Sequence, residues 1–420
     1  MRLFLLLFMA NVAFGNDFSL EDAETSALQN SELLKVAETD LWVAKQQKQA
    51  VLTTFFPKLA FQSNYTYLSK LPSLTVNPAI APIPFGDHSN YSMGLSLSYV
   101  LWDHFSTWHS YQAIGYTHQS KEQDLKNAKI ELLFATRIAY VRLQLARQEE
   151  ELVEDSYHLA LSQQKDILQR FRLGTATRLD KLSSQNHVIE IEQQKEQKKT
   201  EAHLAAEDLK ALTQTLEIGQ LDSLRKLLEK WKSFKPSIQP SDFPALQSLQ
   251  LLSKATLHTA RSLASRLYPS ITLDTSTALV YPNGPVLQNI NQNTISINLS
   301  LPLWLGDPNW SLISAKKRET EAMKHQAAHL VIEHQRDTRK AIAQYQSLLL
   351  QQRKSKQENR NIAESARLFY ASYQTGKSTF LEVLAANHQL LQSQIAQARI
   401  NAQLLSQMIT LIALGGKINS

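Results

Sequence analysis

The residues best placed to do chemistry sit in the run Thr375-Gly376-Lys377-Ser378-Thr379. Glycine, lysine and a hydroxyl in that order close a phosphate-binding loop. Such a loop also needs a glycine five residues before Gly376 and a strand leading in. Ala371 stands there instead, within a helical pattern, so the run is not a nucleotide site. His325, His329 and Glu333 fall at i, i+4 and i+8, which puts three potential metal ligands on one helix face. No fourth ligand accompanies them, and the face reads as an exposed polar one. No nucleophile stands in register with a base, and the histidines are scattered over long helical runs. Cysteine is absent, which removes disulfides, thiolate metal sites, a thiol nucleophile and a lipid-modified N-terminal cysteine. No enzyme is expected, and no cofactor or metal.

The elements that hold these residues are more informative than the residues. The stretch 309–414 has no proline, and its only glycine is Gly376. Proline breaks a helix interior and glycine weakens it, so this reads as two long helices meeting at one bend. From Trp310 to Thr375 such a helix would run roughly 100 Å. Residues 85–235 say the same: proline is again absent, and the main break within the helical part is Gly174. Trp102 to Gly174 and Trp304 to Gly376 are equally spaced, so the antiparallel helical hairpin is duplicated.

Each hairpin is preceded by a change of period from 3.6 to 2. Residues 19–56 carry helical spacing and stop at Pro57; Leu246 to Leu267 does the same and stops at Pro269. Leu59, Phe61, Tyr65 and Tyr67 then alternate with polar residues. After a loop containing Pro72, Pro78, Pro82 and Pro84, Tyr91, Met93, Leu95, Leu97, Tyr99 and Leu101 alternate with Ser92, Gly94, Ser96 and Ser98. In the second half, Ile271, Leu273 and Leu279 alternate with Ser270, Thr272, Asp274 and Ser276, and Ile295, Ile297, Leu299 and Leu301 with Ser296, Asn298 and Ser300. Each run has about the length of a tilted strand that spans a bilayer. Strands are expected at about 57–70, 90–102, 269–281 and 293–304. Tyr65, Tyr67, Tyr91, Tyr99, Trp102, Tyr268, Tyr281 and Trp304 are candidates for aromatics at the membrane–water interface.

The helices carry stripes of their own. Ile130, Phe134, Ile138, Val141 and Leu145 mark one, and Leu179, Leu182 and Ile189 another. In the last helix Leu381, His388, Ile395, Ala402 and Ile409, with Leu384, Leu391, Ala398, Leu405 and Ile412, form two seven-residue ladders, a coiled-coil seam. Gly219 is expected to end the preceding helical run. Leu221, Leu224, Leu227, Leu228 and Trp231 suggest a short amphipathic helix, followed by a linker with Pro236, Pro240 and Pro244.

Composition fits this reading. The 420 residues are 43% apolar and 20% charged, which argues against disorder. The net charge of +6 is scattered. Basic clusters such as Lys316-Lys317-Arg318 lack an aromatic platform, so no nucleic-acid partner is expected. Arg2, the apolar run Leu3 to Met9, and Ala13-Phe14-Gly15 make an export signal. No later stretch is apolar enough for a membrane helix, so an exported, membrane-bound chain must use strands. Four strands cannot close a barrel, and an open edge cannot sit in lipid. Several copies must therefore share one wall, with Ser92, Ser96, Ser98, Ser296, Asn298 and Ser300 towards a wet lumen.

The sequence resembles the TolC-like outer-membrane efflux proteins. The resemblance covers nearly all of the mature chain. It rests on the twofold helix–hairpin–helix–helix order, on Pro57 and Pro269, and on two bend motifs. These are Arg170-Phe171-Arg172-Leu173-Gly174-Thr175-Ala176-Thr177-Arg178-Leu179-Asp180 and Ser372-Tyr373-Gln374-Thr375-Gly376-Lys377-Ser378-Thr379-Phe380-Leu381-Glu382. It implies a mainly α fold with a membrane β-barrel contribution: a homotrimer with a 12-stranded barrel in the outer membrane of a Gram-negative bacterium and an α-helical periplasmic tunnel. The implied function is a passive exit duct in a tripartite efflux or type I secretion system. It opens when a periplasmic adaptor and an inner-membrane pump (RND, ABC or MFS) dock, and the pump sets most of the cargo specificity. The domains expected are a signal peptide (1–15), a first repeat (16–216), an equatorial segment and linker (217–244) and a second repeat (245–420). The other reading is a periplasmic coiled-coil adaptor without a pore, which would have no use for a lipid-facing stripe.

The resemblance also assigns site residues. Leu173, Gly174 and Thr175, with Thr375, Gly376 and Lys377, would be the adaptor-docking tips, although a tight helical turn explains both glycines by itself. Asp180 and Tyr373 match a carboxylate–tyrosine contact that closes the tunnel. The family's basic partner is Ser378 here, with Lys377 or Arg178 as substitutes. Glu382 matches one acid of a ring at the constriction, whose second acid is Ala385; a surface glutamate also explains it.

Overall fold

The computed structural model describes residues 17–74, 83–231, 243–303 and 309–415. The export signal at 1–15, Trp304, and Pro78, Pro82, Pro236 and Pro240 lie outside the described residues. A two-residue strand β1 (Asp17–Phe18) precedes helices α1 (Leu20–Asn30) and α2 (Glu32–Leu52). Strands β2 (Lys58–Tyr67), β3 (Ser73–Leu74), β4 (Ile83–Pro84) and β5 (Ser89–Trp102) follow, then long helices α3 (Ser106–Arg172) and α4 (Arg178–Thr213). Strand β6 (Gln220–Leu221) and helix α5 (Leu224–Lys230) separate the halves. The second half is α6 (Pro244–Ser265), β7 (Ser270–Tyr281), β8 (Ile290–Ser300), α7 (Asn309–Gln374) and α8 (Phe380–Leu414). Helix, β-hairpin and two long helices therefore occur twice in order.

The chain forms two compact units, each drawn from both halves. One comprises residues 39–124 and 245–329 and contains an antiparallel sheet in the order β2-β5-β7-β8. The register fixes two faces. Leu59 opposes Leu97, Phe61 opposes Leu95, Tyr99 opposes Leu273, and Ile271 opposes Leu299. The other face holds Ser92, Ser96, Ser98, Ser296, Asn298 and Ser300, as the alternation predicts. Strand β8 differs from expectation: it starts at Ile290 rather than 293 and stops at Ser300 rather than 304. Pro302 has no N–H to extend the ladder. Strands β2 and β8 pair on one side only, and the apolar face is open, with Phe61 67% and Ile295 77% exposed. Gly94 sits where strands come closest. A Cβ there would lie 2.1 Å from the Thr277 carbonyl oxygen and 2.5 Å from Ala278 Cα.

The other unit comprises residues 1–38, 125–244 and 330–420. Its core gathers Tyr140, Leu143, Leu209, Leu405 and Ile409 from three helices, α3, α4 and α8, all fully buried. Tyr140 is raised in pKa chiefly by burial, so its hydroxyl stays protonated. It donates to the Phe18 carbonyl at 2.8 Å and accepts the Asp222 N–H at 2.8 Å. That one side chain fastens the parallel β1–β6 pair. Glu149 is buried among α3, α4 and α8. Its carboxylate meets the Arg399 guanidinium at 2.7 and 3.2 Å and Lys198 Nζ at 2.8 Å.

Four helix expectations need correction. The segment 19–56 is two helices, interrupted at Ser31. Helix α4 stops at Thr213, before Gly219, because Asn30 Nδ2 takes the Thr213 carbonyl at 3.0 Å and Gln214 turns left-handed (φ 53°). The coiled-coil ladders hold from Leu391 onwards but not at the start of α8: Leu381 is 70% exposed and His388 is exposed, while Phe380, Val383 and Asn387 are buried. A straight helix drifts about 20° per heptad against a 3.5 repeat, so the buried stripe leaves the ladder. On α4 the apolar set Leu179, Leu182 and Ile189 is exposed, whereas Ser184, Val188 and Ile191 face the core.

Two measurements test these packings. Gly94→Val should prevent the β5–β7 ladder from forming, read as loss of β signal and of protease resistance in the refolded protein. For Glu149, burial pushes the pKa up but hydrogen bonds from Arg399 and Lys198 outweigh it, and the net shift is downward. Its stabilisation is present above the ordinary glutamate pKa and is lost as pH falls through that value towards the lowered one. Glu149→Ala should cost of order 2 kcal/mol at pH 7, less than for a fully buried pair because Arg399 is 52% exposed. The mutant's melting temperature should also change less between pH 7 and pH 4.

Candidate functional site

The two helical bends have the same local chemistry. Gly174 has φ 75° and Gly376 φ 74°, a region open to glycine without strain. Around the first, the Gly174 N–H donates to the Phe171 carbonyl at 3.1 Å and the Thr175 N–H to that of Arg170 at 2.9 Å. Around the second, Gly376 donates to Tyr373 at 3.0 Å and Lys377 to Ser372 at 2.9 Å. Both are Schellman closures, which satisfy the last carbonyls of the incoming helix. Three residues beyond each glycine, Thr177 and Thr379 cap the outgoing helix. Asp180 Oδ2 accepts the Thr177 N–H at 2.9 Å and hydroxyl at 2.8 Å; Glu382 Oε2 accepts the Thr379 N–H at 2.8 Å. Each bend thus satisfies its own backbone groups, and Leu173, Gly174, Thr175, Thr375, Gly376 and Lys377 are left exposed.

Within the chain, the residues assigned to a latch make no hydrogen bond to one another. Asp180 and Glu382 occupy equivalent positions in two capping boxes. Tyr373 packs its ring on Phe380 at 5.4 Å and under the Arg170 guanidinium at 5.8 Å. Its hydroxyl is buried and makes no hydrogen bond within the chain. Burial raises its pKa, and the nearby Asp180 charge raises it further. Arg178 is exposed and makes no ion pair among the described residues. A polar contact does form one turn earlier. Asp166 Oδ2 accepts from Arg170 Nε at 3.0 Å and from the Tyr370 hydroxyl at 3.2 Å, joining α3 to α7. The i, i+4 spacing of Asp166 and Arg170 and the i, i+3 spacing of Tyr370 and Tyr373 were the available signals. Deeper in, Asn387 Nδ2 donates to Gln163 Oε1 at 2.9 Å between α8 and α3.

Nothing in this arrangement supports covalent chemistry. Among the described residues no group of three or more His, Asp or Glu side chains could hold a metal. No described helix is long and apolar enough to cross a membrane. What distinguishes the chain is a pair of self-capped helical bends in one unit and an open-edged sheet with one apolar face in the other.

That combination agrees with sequence comparison: residues 25–214 and 242–417 match the family model described as outer membrane efflux protein. The chain belongs to the outer membrane efflux protein family. Comparison with curated protein sequences found no match. Among solved structures, CusC superposes with a TM-score of 0.81 at 17% identity, over 96% of this chain and 94% of that one. The CmeC outer membrane channel of Campylobacter jejuni gives 0.80 at 16% identity, covering 94% and 85%. VceC, an outer membrane protein of Vibrio cholerae, gives 0.78 at 17% identity, covering 95% and 97%. Likeness at this identity establishes the fold, and the family match establishes an efflux-type outer-membrane channel rather than an enzyme.

The two tyrosines provide the test. Tyr370→Phe removes a hydroxyl bonded to a carboxylate and should cost about 1.5–3 kcal/mol in thermal unfolding. Tyr373→Phe removes a hydroxyl with no partner in the chain and should be close to neutral in a dispersed single chain. A loss confined to the assembled protein would identify the partner as a neighbouring copy.

Proposed function

We propose that three copies of this chain form a passive exit duct: a 12-stranded outer-membrane barrel continued by a periplasmic helical tunnel. The observation that carries this reading is the sheet with two unpaired edges and an exposed apolar face. Lipid offers no hydrogen bonds to the free backbone groups of β2 and β8, so each edge requires a strand from another copy. Three copies supply twelve strands, within the size range of membrane barrels. The exposed Leu179, Leu182 and Ile189 on α4 give neighbouring copies an apolar surface to cover.

In this reading the duct belongs to a tripartite efflux or type I secretion assembly. The exposed tips Leu173, Gly174, Thr175, Thr375, Gly376 and Lys377 receive a periplasmic adaptor, which brings an inner-membrane pump. The tunnel end is held closed by polar contacts between hairpins. Tyr373, with its hydroxyl unsatisfied, Asp180, Arg178 and Glu382 are the candidate gate. Docking of the adaptor spreads the hairpins, and cargo passes without covalent change.

The experiment is a pair of measurements on the mature protein. Wild type should run as heat-modifiable, detergent-resistant trimers from an outer-membrane fraction and form discrete conductance steps in planar bilayers. A soluble monomer without pore activity would overturn the reading. Gly174→Trp or Gly376→Trp should leave trimers and pores intact while abolishing export from cells. Export at the wild-type rate would remove the tips from the docking role.

A further inference from the structure

The four strands of the membrane sheet carry only two charged side chains, Lys58 on β2 and Asp274 on β7. Both lie on the polar face. The register also places them in one row across the sheet: Lys58 opposes Ser98, Ser98 opposes Asp274, and Asp274 opposes Ser296. Neither is paired. Asp274 accepts from the Ser98 hydroxyl, from Asn298 Nδ2 at 2.8 Å and from the Thr272 hydroxyl at 3.4 Å, all neutral donors. Lys58 is exposed and makes no ion pair among the described residues. Packing does not require either charge. An asparagine at 274 could accept the same hydrogen bonds, and the apolar face manages without any charge.

We propose that Lys58 and Asp274 set the ion selectivity of the barrel lumen. This rests on the trimeric-barrel reading, which turns each residue into a ring of three. Strands lie about 4.8 Å apart, so the two residues are separated by roughly 10 Å across the sheet. With strands tilted by about 40°, that separation places the two rings roughly 6 Å apart along the barrel axis. This is shorter than the Debye length of about 10 Å at 0.1 M salt. A permeating ion therefore feels both rings at once, and their opposite signs offset. The wild-type lumen should pass small cations and anions with little preference. Removing one ring exposes the field of the other. Three like charges at about 10 Å, partly screened, change the local concentration of a monovalent ion by a factor of about two.

The test is the reversal potential of reconstituted trimers in planar bilayers under a potassium chloride gradient. Lys58→Gln should shift the potassium-to-chloride permeability ratio towards cations, and Asp274→Asn towards anions, each by at least about twofold. The double variant should return near wild type. The single-variant shifts should shrink at 1 M salt, where the screening length is about 3 Å. Lys58→Glu provides a second route, since it lies at the strand end and should shift the ratio further than Lys58→Gln. Conducting pores whose permeability ratio is the same in all variants would overturn the proposal and leave the duct intact. Absence of pores from the wild-type protein would overturn the barrel reading itself.

Discussion

Everything in the membrane half follows from the demand of backbone amides and carbonyls for partners. Four strands bury an interior ladder but leave two rows of polar groups at β2 and β8. In water such edges are tolerated; in hydrocarbon each unsatisfied group costs several kcal/mol. Side chains on the apolar face, from Leu59 to Leu299, favour lipid, while the edges forbid a lone sheet from entering it. The two tendencies are reconciled only by lateral association, and so a local hydrogen-bond deficit becomes an instruction about quaternary structure.

The helical half solves the same problem in the opposite way. At the bends around Gly174 and Gly376 each hairpin satisfies its terminal groups internally. Schellman closures take the incoming carbonyls, and Thr177–Asp180 and Thr379–Glu382 take the outgoing amides. These ends can face water, or another protein, without unravelling. The clamp of Glu149 by Arg399 and Lys198 then holds three helices in register further along.

Much of this was legible in the sequence because it depends on residues with few conformational choices. Glycine at 174 and 376 and proline at 57 and 269 mark turns by backbone chemistry alone, and strict alternation reveals strands whichever partner they meet. The face assignment of the serines survived intact for that reason. Features that depend on tertiary contact were not legible. Gln214 adopts a left-handed turn because Asn30 holds the carbonyl before it, a residue distant in sequence. Leu381 and Leu179 look like core by type, yet the buried stripe has rotated past them. At the candidate gate, family likeness pointed to Asp180 and Tyr373, whereas within one chain the carboxylate that meets a tyrosine is Asp166, through Tyr370. Register along a helix cannot be read from residue types when two tyrosines stand one turn apart.

The central β5–β7 pairing joins the two halves of the internal repeat by the same kind of backbone ladder that β2 and β8 must find elsewhere. In a closed trimeric wall, half of the seams between repeats are therefore tethered by chain connectivity and are indifferent to dilution. A ring of six half-length chains would need five association events, the last seam closing within the assembly. Joining two repeats in one chain leaves two, and so the mass-action penalty for assembly in a dilute envelope falls by three encounters.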